Sequence, residues 1–179
     1  MPLLISILLL VTMNSDTKLL FDFEAETDSN LSDWKIVNDN VMGGRSNGTF
    51  YRGPEGNGIF EGRISLKNNG GFASVRYLPG RTAVDDYEKV VVSIKGDGKK
   101  YQFRIKADLD DYQSYITYFE TTGEWQEVEI PLENLYPTYR GRTLDQPNFS
   151  AEHLEEIGFL FGNNKEEEFR LEIKSIALK

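Results

Sequence analysis

After residue 18, apolar and polar residues follow each other with a period of two. Tyr101, Phe103, Ile105 and Ala107 alternate with Gln102, Arg104, Lys106 and Asp108. Val90, Val92 and Ile94 share one face, as do Phe60, Gly62, Ile64 and Leu66. Such alternation marks antiparallel strands with one face on a core and one toward water. Phe169, Leu171 and Ile173 alternate with Arg170, Glu172 and Lys174, and Ile176 and Leu178 then change face, which predicts a bulge. Turn chemistry separates the runs at Asn47-Gly48, Gly53-Pro54, Asn68-Asn69-Gly70-Gly71, Gly96-Asp97-Gly98 and Thr122-Gly123. About ten or eleven short strands with such turns predict an all-β, antiparallel β-sandwich or barrel. One short helical turn is expected at Ser150–Glu156 (SAEHLEE), with Ser150 as N-cap, and residues 133–149 are expected to form a long ordered loop.

Composition narrows the function classes. The chain has 179 residues, a net charge of −9, one histidine and no cysteine. That length suits one domain with an unstapled core. Without cysteine there is no thiolate metal site or thiol nucleophile, and His153 by itself cannot form a multi-histidine metal centre. With 29 acidic against 20 basic residues the global field repels nucleic acid, so no nucleic-acid partner is expected. Pro2 to Val11 is apolar but too short to span a bilayer. Residues 1–18 therefore read either as an export signal or as an extension upstream of a true start at Met13, with residues 19–179 as one sandwich domain. The first reading places the protein outside the cytoplasm, the second inside it.

Motifs for catalysis are missing. GGRSNG lacks the spacing and lysine of a phosphate loop, and no serine stands in a nucleophile elbow. The acidic run at Asp108, Asp110 and Asp111 lacks the spacing of a calcium-binding helix–loop–helix, so a solvated hairpin tip is expected. No catalytic residue, cofactor or metal site is assigned. Trp34, Trp125 and the phenylalanines are expected in the core. Tyr136 and Tyr139, beside Arg140 and Arg142, form an exposed set suited to stacking on a sugar ring.

The stretch Asn38–Ser46 (NDNVMGGRS) after Trp34 resembles the signature of the complex I intermediate-associated protein family. Phe60-x-Gly62, NGGFASVR over Asn69–Arg76, Gly96-Asp97-Gly98-x-x-Tyr101, Trp125-Gln126-x-Val128 and Gly158-Phe159 resemble its later blocks in order. The resemblance implies a galactose-binding-like jelly roll. It also implies a non-catalytic role, as an assembly factor or chaperone for respiratory complex I in the mitochondrial members. The chain has no transit peptide of the mitochondrial kind and looks more like a compact bacterial relative. Candidate partner-binding residues are Asp39, Val41, Met42, Gly43, Gly44, Arg45, Ser46, Gly70, Gly71, Arg76 and Asp97, meeting a protein. In that loop Asp39 and Arg45 are expected to pair, Val41 and Met42 to anchor it, and the adjacent glycines to make a tight turn of positive φ. The alternative is a carbohydrate-binding module using Tyr136, Tyr139, Arg140 and Arg142.

Overall fold

The computed structural model describes residues 17–25, 28–39 and 43–179, so the apolar N-terminal segment, Val41 and Met42 lie outside it. The strands in chain order are β1 (Lys18–Asp22), β2 (Trp34–Asn38), β3 (Asn47–Arg52), β4 (Gly58–Arg63) and β5 (Ala73–Tyr77). They continue with β6 (Thr82–Ala83), β7 (Lys89–Lys95), β8 (Lys100–Lys106), β9 (Ser114–Glu120) and β10 (Trp125–Pro131). The last five are β11 (Tyr136–Tyr139), β12 (Arg142–Thr143), β13 (His153–Leu154), β14 (Glu156–Phe161) and β15 (Glu168–Leu178).

These strands build an antiparallel jelly-roll sandwich. One sheet has the order β10-β7-β15-β4-β3, with β1 also paired to β15. The other has seven strands, β12-β11-β9-β8-β14-β5-β2. The alternation decides which side chains meet between them. Phe60, Leu171, Ile173, Val92 and Ile94 from the first sheet face Tyr101, Phe103, Ile105, Phe159 and Val75 from the second, all fully buried. Each such side chain contributes about 1.5–3 kcal/mol by leaving water. At one end Trp34 stacks on Phe50 and Tyr77, at centroid distances of 4.7 and 5.0 Å.

The expected bulge is present. The register of β15 against β7 shifts between Ile173 and Ser175. There one edge of β15 changes partner, from β4 up to Ile173 to β1 from Ser175 onward. The extra residue turns Ile176 and Leu178 back into the core, where both are fully buried.

Three local expectations are corrected. Ser150–Glu156 is extended rather than helical: His153 and Leu154 pair with Ala83 and Thr82, and the Glu155 N–H donates to the Lys106 carbonyl. Those long-range bonds, with Leu154 fully buried, override the local capping signal. The 133–149 segment contains β11 and β12; Pro137 sits within β11, next to the sheet edge, and Pro147 lies outside both strands. Trp125 is not core but 40% exposed on the edge strand β10. The short turns that do occur are 3-10, at Asp28–Asp33, Lys67–Asn69 and Leu132–Asn134. No helix among the described residues is long and apolar enough to cross a membrane.

Candidate binding surface

The loop after β2 is held by its aspartate, and the expected Asp39–Arg45 pair is not formed. Asp39 is 1% exposed. Its Oδ1 accepts from the Ser46 N–H at 3.0 Å, and its Oδ2 accepts from the N–H groups of Gly71 at 2.6 Å and Phe72 at 3.3 Å. Burial works to raise its pKa, but the hydrogen bonds from Ser46, Gly71 and Phe72 outweigh it and hold the carboxyl below the usual value. The two glycine-rich loops of the sequence thus clasp each other. Asn68 Nδ2 donates to the Gly43 carbonyl at 3.0 Å, and the Ser46 hydroxyl accepts from the Ser65 N–H at 3.1 Å.

This clasp explains the adjacent glycines differently from a double positive-φ turn. Gly43 has φ +87°. Gly44 does not have positive φ; a Cβ there would overlap the Asp39 carboxylate, and one on Gly70 would lie 2.6 Å from Asp39 Oδ2. Gly43→Ala is therefore expected to cost about 1 kcal/mol in backbone strain. Gly44→Ala is expected to cost about 3 kcal/mol by displacing a buried carboxylate. Urea denaturation of both variants checks the order, and equal losses would refute it.

Arg45 is exposed and makes no hydrogen bond or ion pair with a described residue. Asp97 is a fastener: it accepts from Lys99 Nζ at 2.6 Å, the Tyr101 hydroxyl at 3.0 Å and the Arg170 N–H at 3.1 Å. The tyrosine–arginine set divides. Tyr139 packs edge-on to Tyr112 with Arg140 over its ring at 5.3 Å, and Arg142 lies on the exposed edge strand β12. Tyr136 instead belongs to the outer face of the seven-stranded sheet, opposite Ile116.

That outer face carries the charge arrangement that sequence reading missed. Cross-strand pairing places Tyr136, Ile116, Arg104, Gly158, Arg76 and Lys35 in one lateral row over six strands. The next row holds Tyr118, Gln102, Leu160, Ser74 and Val37, with the Gln102 amide donating to the Tyr118 hydroxyl at 2.9 Å. Arg76 donates to Glu156 Oε2 at 3.4 Å. Arg104 makes no hydrogen bond or ion pair among the described residues. Burial, then the neighbouring Arg76 charge, lowers its pKa, with Glu156 and Tyr118 working the other way. Alternation in β8 marks Arg104 as outward-facing, but no sequence signal places it beside Arg76.

Other polar clusters are internally balanced. A groove of about 630 Å³ on the outer face of the first sheet includes Arg170 and Glu61. Arg170 is met there by Glu61 and by Glu172, the latter at 3.1 Å. Asp108, His153 and Glu155 converge within 4.8 Å. The Arg81 guanidinium already binds all three, at 3.1, 3.2 and 3.4 Å to Asp108, His153 and Glu155 respectively.

The sheet topology is that of a galactose-binding-like jelly roll. Solved structures share it at low identity. The family 11 carbohydrate-binding module of cellulosomal cellulase Lic26A-Cel5E of Clostridium thermocellum is 18% identical, over 91% of this chain and 94% of that one, with a TM-score of 0.66. The Clostridium thermocellum family 11 module in complex with a β-1,3-1,4-mixed-linked tetrasaccharide is 19% identical, over 90% and 94%, at 0.65. The agarase AgWH50C matches over 91% of this chain but only 24% of its own, at 13% identity and 0.63. The chain itself belongs to the complex I intermediate-associated protein 30 (CIA30) family, whose model matches residues 21–173.

Proposed function

We propose that this chain is a non-catalytic assembly factor that holds a protein subunit of a multi-subunit complex, with respiratory complex I as the first candidate. The contact surface is the outer face of the seven-stranded sheet, with the clasped loops at one end of β2 and β5 as its rim. The observation that supports this most is Arg104, a half-buried cation with no acceptor in the described chain. A desolvated charge left without a partner is costly, and an incoming acceptor would relieve that cost. Family membership supports the assembly role, and the clasp supports a rigid rim that displays Arg45.

Affinity capture of the full chain from its native cells tests the reading: complex I subunits are the expected catch, and their absence from repeated captures would count against it. Arg45→Glu is expected to leave the melting temperature unchanged while reducing that capture severalfold. A fall in melting temperature would instead make Arg45 a structural tie.

A second reading, carbohydrate binding, is favoured by Tyr118 and Tyr136 on the same face, Tyr118 being 47% exposed. Against it, Lys100 Nζ already sits 5.0 Å over the Tyr118 ring. A rise in melting temperature with mixed-linkage glucan oligosaccharides would support the sugar reading, and no rise would remove its main support.

A further inference from the structure

All 16 glycines of the chain are described, and all but one have an evident backbone or packing reason. Either φ is positive, as at Gly43 and Gly98, or an added Cβ would collide with a neighbour, as at Gly44, Gly62 and Gly96. Gly158 has neither. A Cβ there would meet the Val75 carbonyl oxygen at 3.5 Å, Arg104 Cβ at 3.7 Å and Arg76 Cγ at 3.8 Å, all ordinary contacts. Glycine in the interior of a paired strand is destabilising, and it recurs where a ligand or another chain approaches closely. Here the missing side chain lies between two arginines.

Arg104 and Arg76 stand on β8 and β5, on either side of Gly158 of β14, so their backbones are about 10 Å apart across two strand spacings. Their stems approach over the bare glycine. Like charges placed side by side repel, and burial strengthens the repulsion. Glu156, with its side chain 8% exposed, reaches Arg76 only. The Glu156 carboxylate answers Arg76 and leaves the Arg104 charge unpaired, with the exposed Lys35 next in the row beyond Arg76, within a chain of net charge −9.

We infer that the Arg104–Gly158–Arg76 row is a carboxylate-binding site, which receives an aspartate or glutamate side chain from an acidic segment of a protein partner. This rests on the assembly reading above and names the chemistry of that contact. A carboxylate matches the single unpaired charge of Arg104 and the planar fork of its guanidinium. Phosphate fits less well. It carries more charge, and sites that hold it draw on free backbone N–H groups, whereas β14 is paired on both sides and its amides serve the sheet. The apolar neighbours Leu160 and Val37 and the hydrogen-bonded Gln102–Tyr118 pair border the site on the same face.

Nuclear magnetic resonance of the arginine Nε–H signals in the full chain, at low ionic strength, tests this. The probe is a blocked octapeptide of alternating glutamate and glycine, with the glutamine analogue, trigalacturonate and inorganic phosphate as comparisons. The expected result is saturable shifts of Arg104 and Arg76 with the glutamate peptide only, weakened by salt. Arg104→Gln should weaken binding at least about tenfold, and Arg104→Lys less, each with an unchanged melting temperature. Gly158→Ala should fold normally and bind more weakly. No shift of Arg104, or equal shifts with the glutamine peptide, overturns the site. A response to phosphate or trigalacturonate in place of the peptide overturns the protein carboxylate as its ligand. Complex I subunits captured equally by Arg104→Gln and wild type overturn the site but leave the assembly role standing. Peptide binding by a protein that captures no such subunits supports the site and counts against the assembly role.

Discussion

Asp39→Asn is expected to lower the melting temperature by roughly 6–12 °C, about 3 kcal/mol for a chain of this size. The carboxylate is buried and accepts from three backbone N–H groups, those of Ser46, Gly71 and Phe72. An amide in its place keeps one acceptor oxygen and turns an NH2 group toward donors. At least one buried N–H loses its partner, and the two loops lose their common anchor. The substitution is nearly isosteric, so packing alone predicts little change. An Asp39→Asn protein as stable as the wild type would show that the clasp contributes nothing net.

The same interaction is linked to pH. The folded pKa of Asp39 lies below the unfolded value of about 3.8. Its contribution is therefore fully present above that unfolded value and is lost as pH falls through the lower folded one. The stability difference between wild type and Asp39→Asn should be constant near neutral pH and shrink in strong acid. A difference that grew on acidification would reverse the sign of the argument.

The second large effect is expected at Gly62, where a single methyl group should cost about 3–5 kcal/mol. Gly62 sits between Gly48 of β3 and Phe169 of β15. A Cβ at that position would overlap the Asn47 carbonyl oxygen and lie 2.8 Å from the Gly48 Cα. Those are backbone atoms of a paired strand, so no rotamer change relieves the collision. Gly62→Ala must push β3 away from β4, which also loosens Asn38, whose side chain brackets Gly48 with hydrogen bonds of 3.0 and 3.2 Å. The denaturant midpoint measures this directly. Gly158→Ala is the control, since its Cβ meets only ordinary contacts.

These two positions show what kind of information a loop or strand carries. Gly62 belongs to an alternating run, and its place on the core face was legible from Phe60 and Ile64 on either side. Its reason for being glycine was not, because the colliding carbonyl belongs to Asn47, fifteen residues earlier. Asp39 with the adjacent glycines and Asn69–Arg76 were legible as two separate blocks of the family resemblance, but not as neighbours in space. Pairing Asp39 with the nearby Arg45 was a natural local reading, but the carboxylate accepts instead from the N–H groups of Ser46, Gly71 and Phe72, the last two more than thirty residues away, and Arg45 stays exposed. Ser150–Glu156 erred for the same reason: a capping serine and acidic residues are local signals, whereas the partners of that segment are Thr82, Ala83 and the Lys106 carbonyl.

By itself the amino-acid sequence determined the all-β antiparallel character, the faces of the long strands, the bulge in β15 and the family. Each of these depends on near neighbours along the chain or on a linear motif. Tertiary structure decided which strands lie side by side, and so the reach of Asp39, the exposure of Trp125 and the meeting of Arg104 with Arg76 across Gly158. A period of two says which way a side chain points, but it is the same for every strand and cannot name the neighbour. That choice is made by long-range pairing and core packing, where β5, β8 and β14, far apart in the chain, come into register.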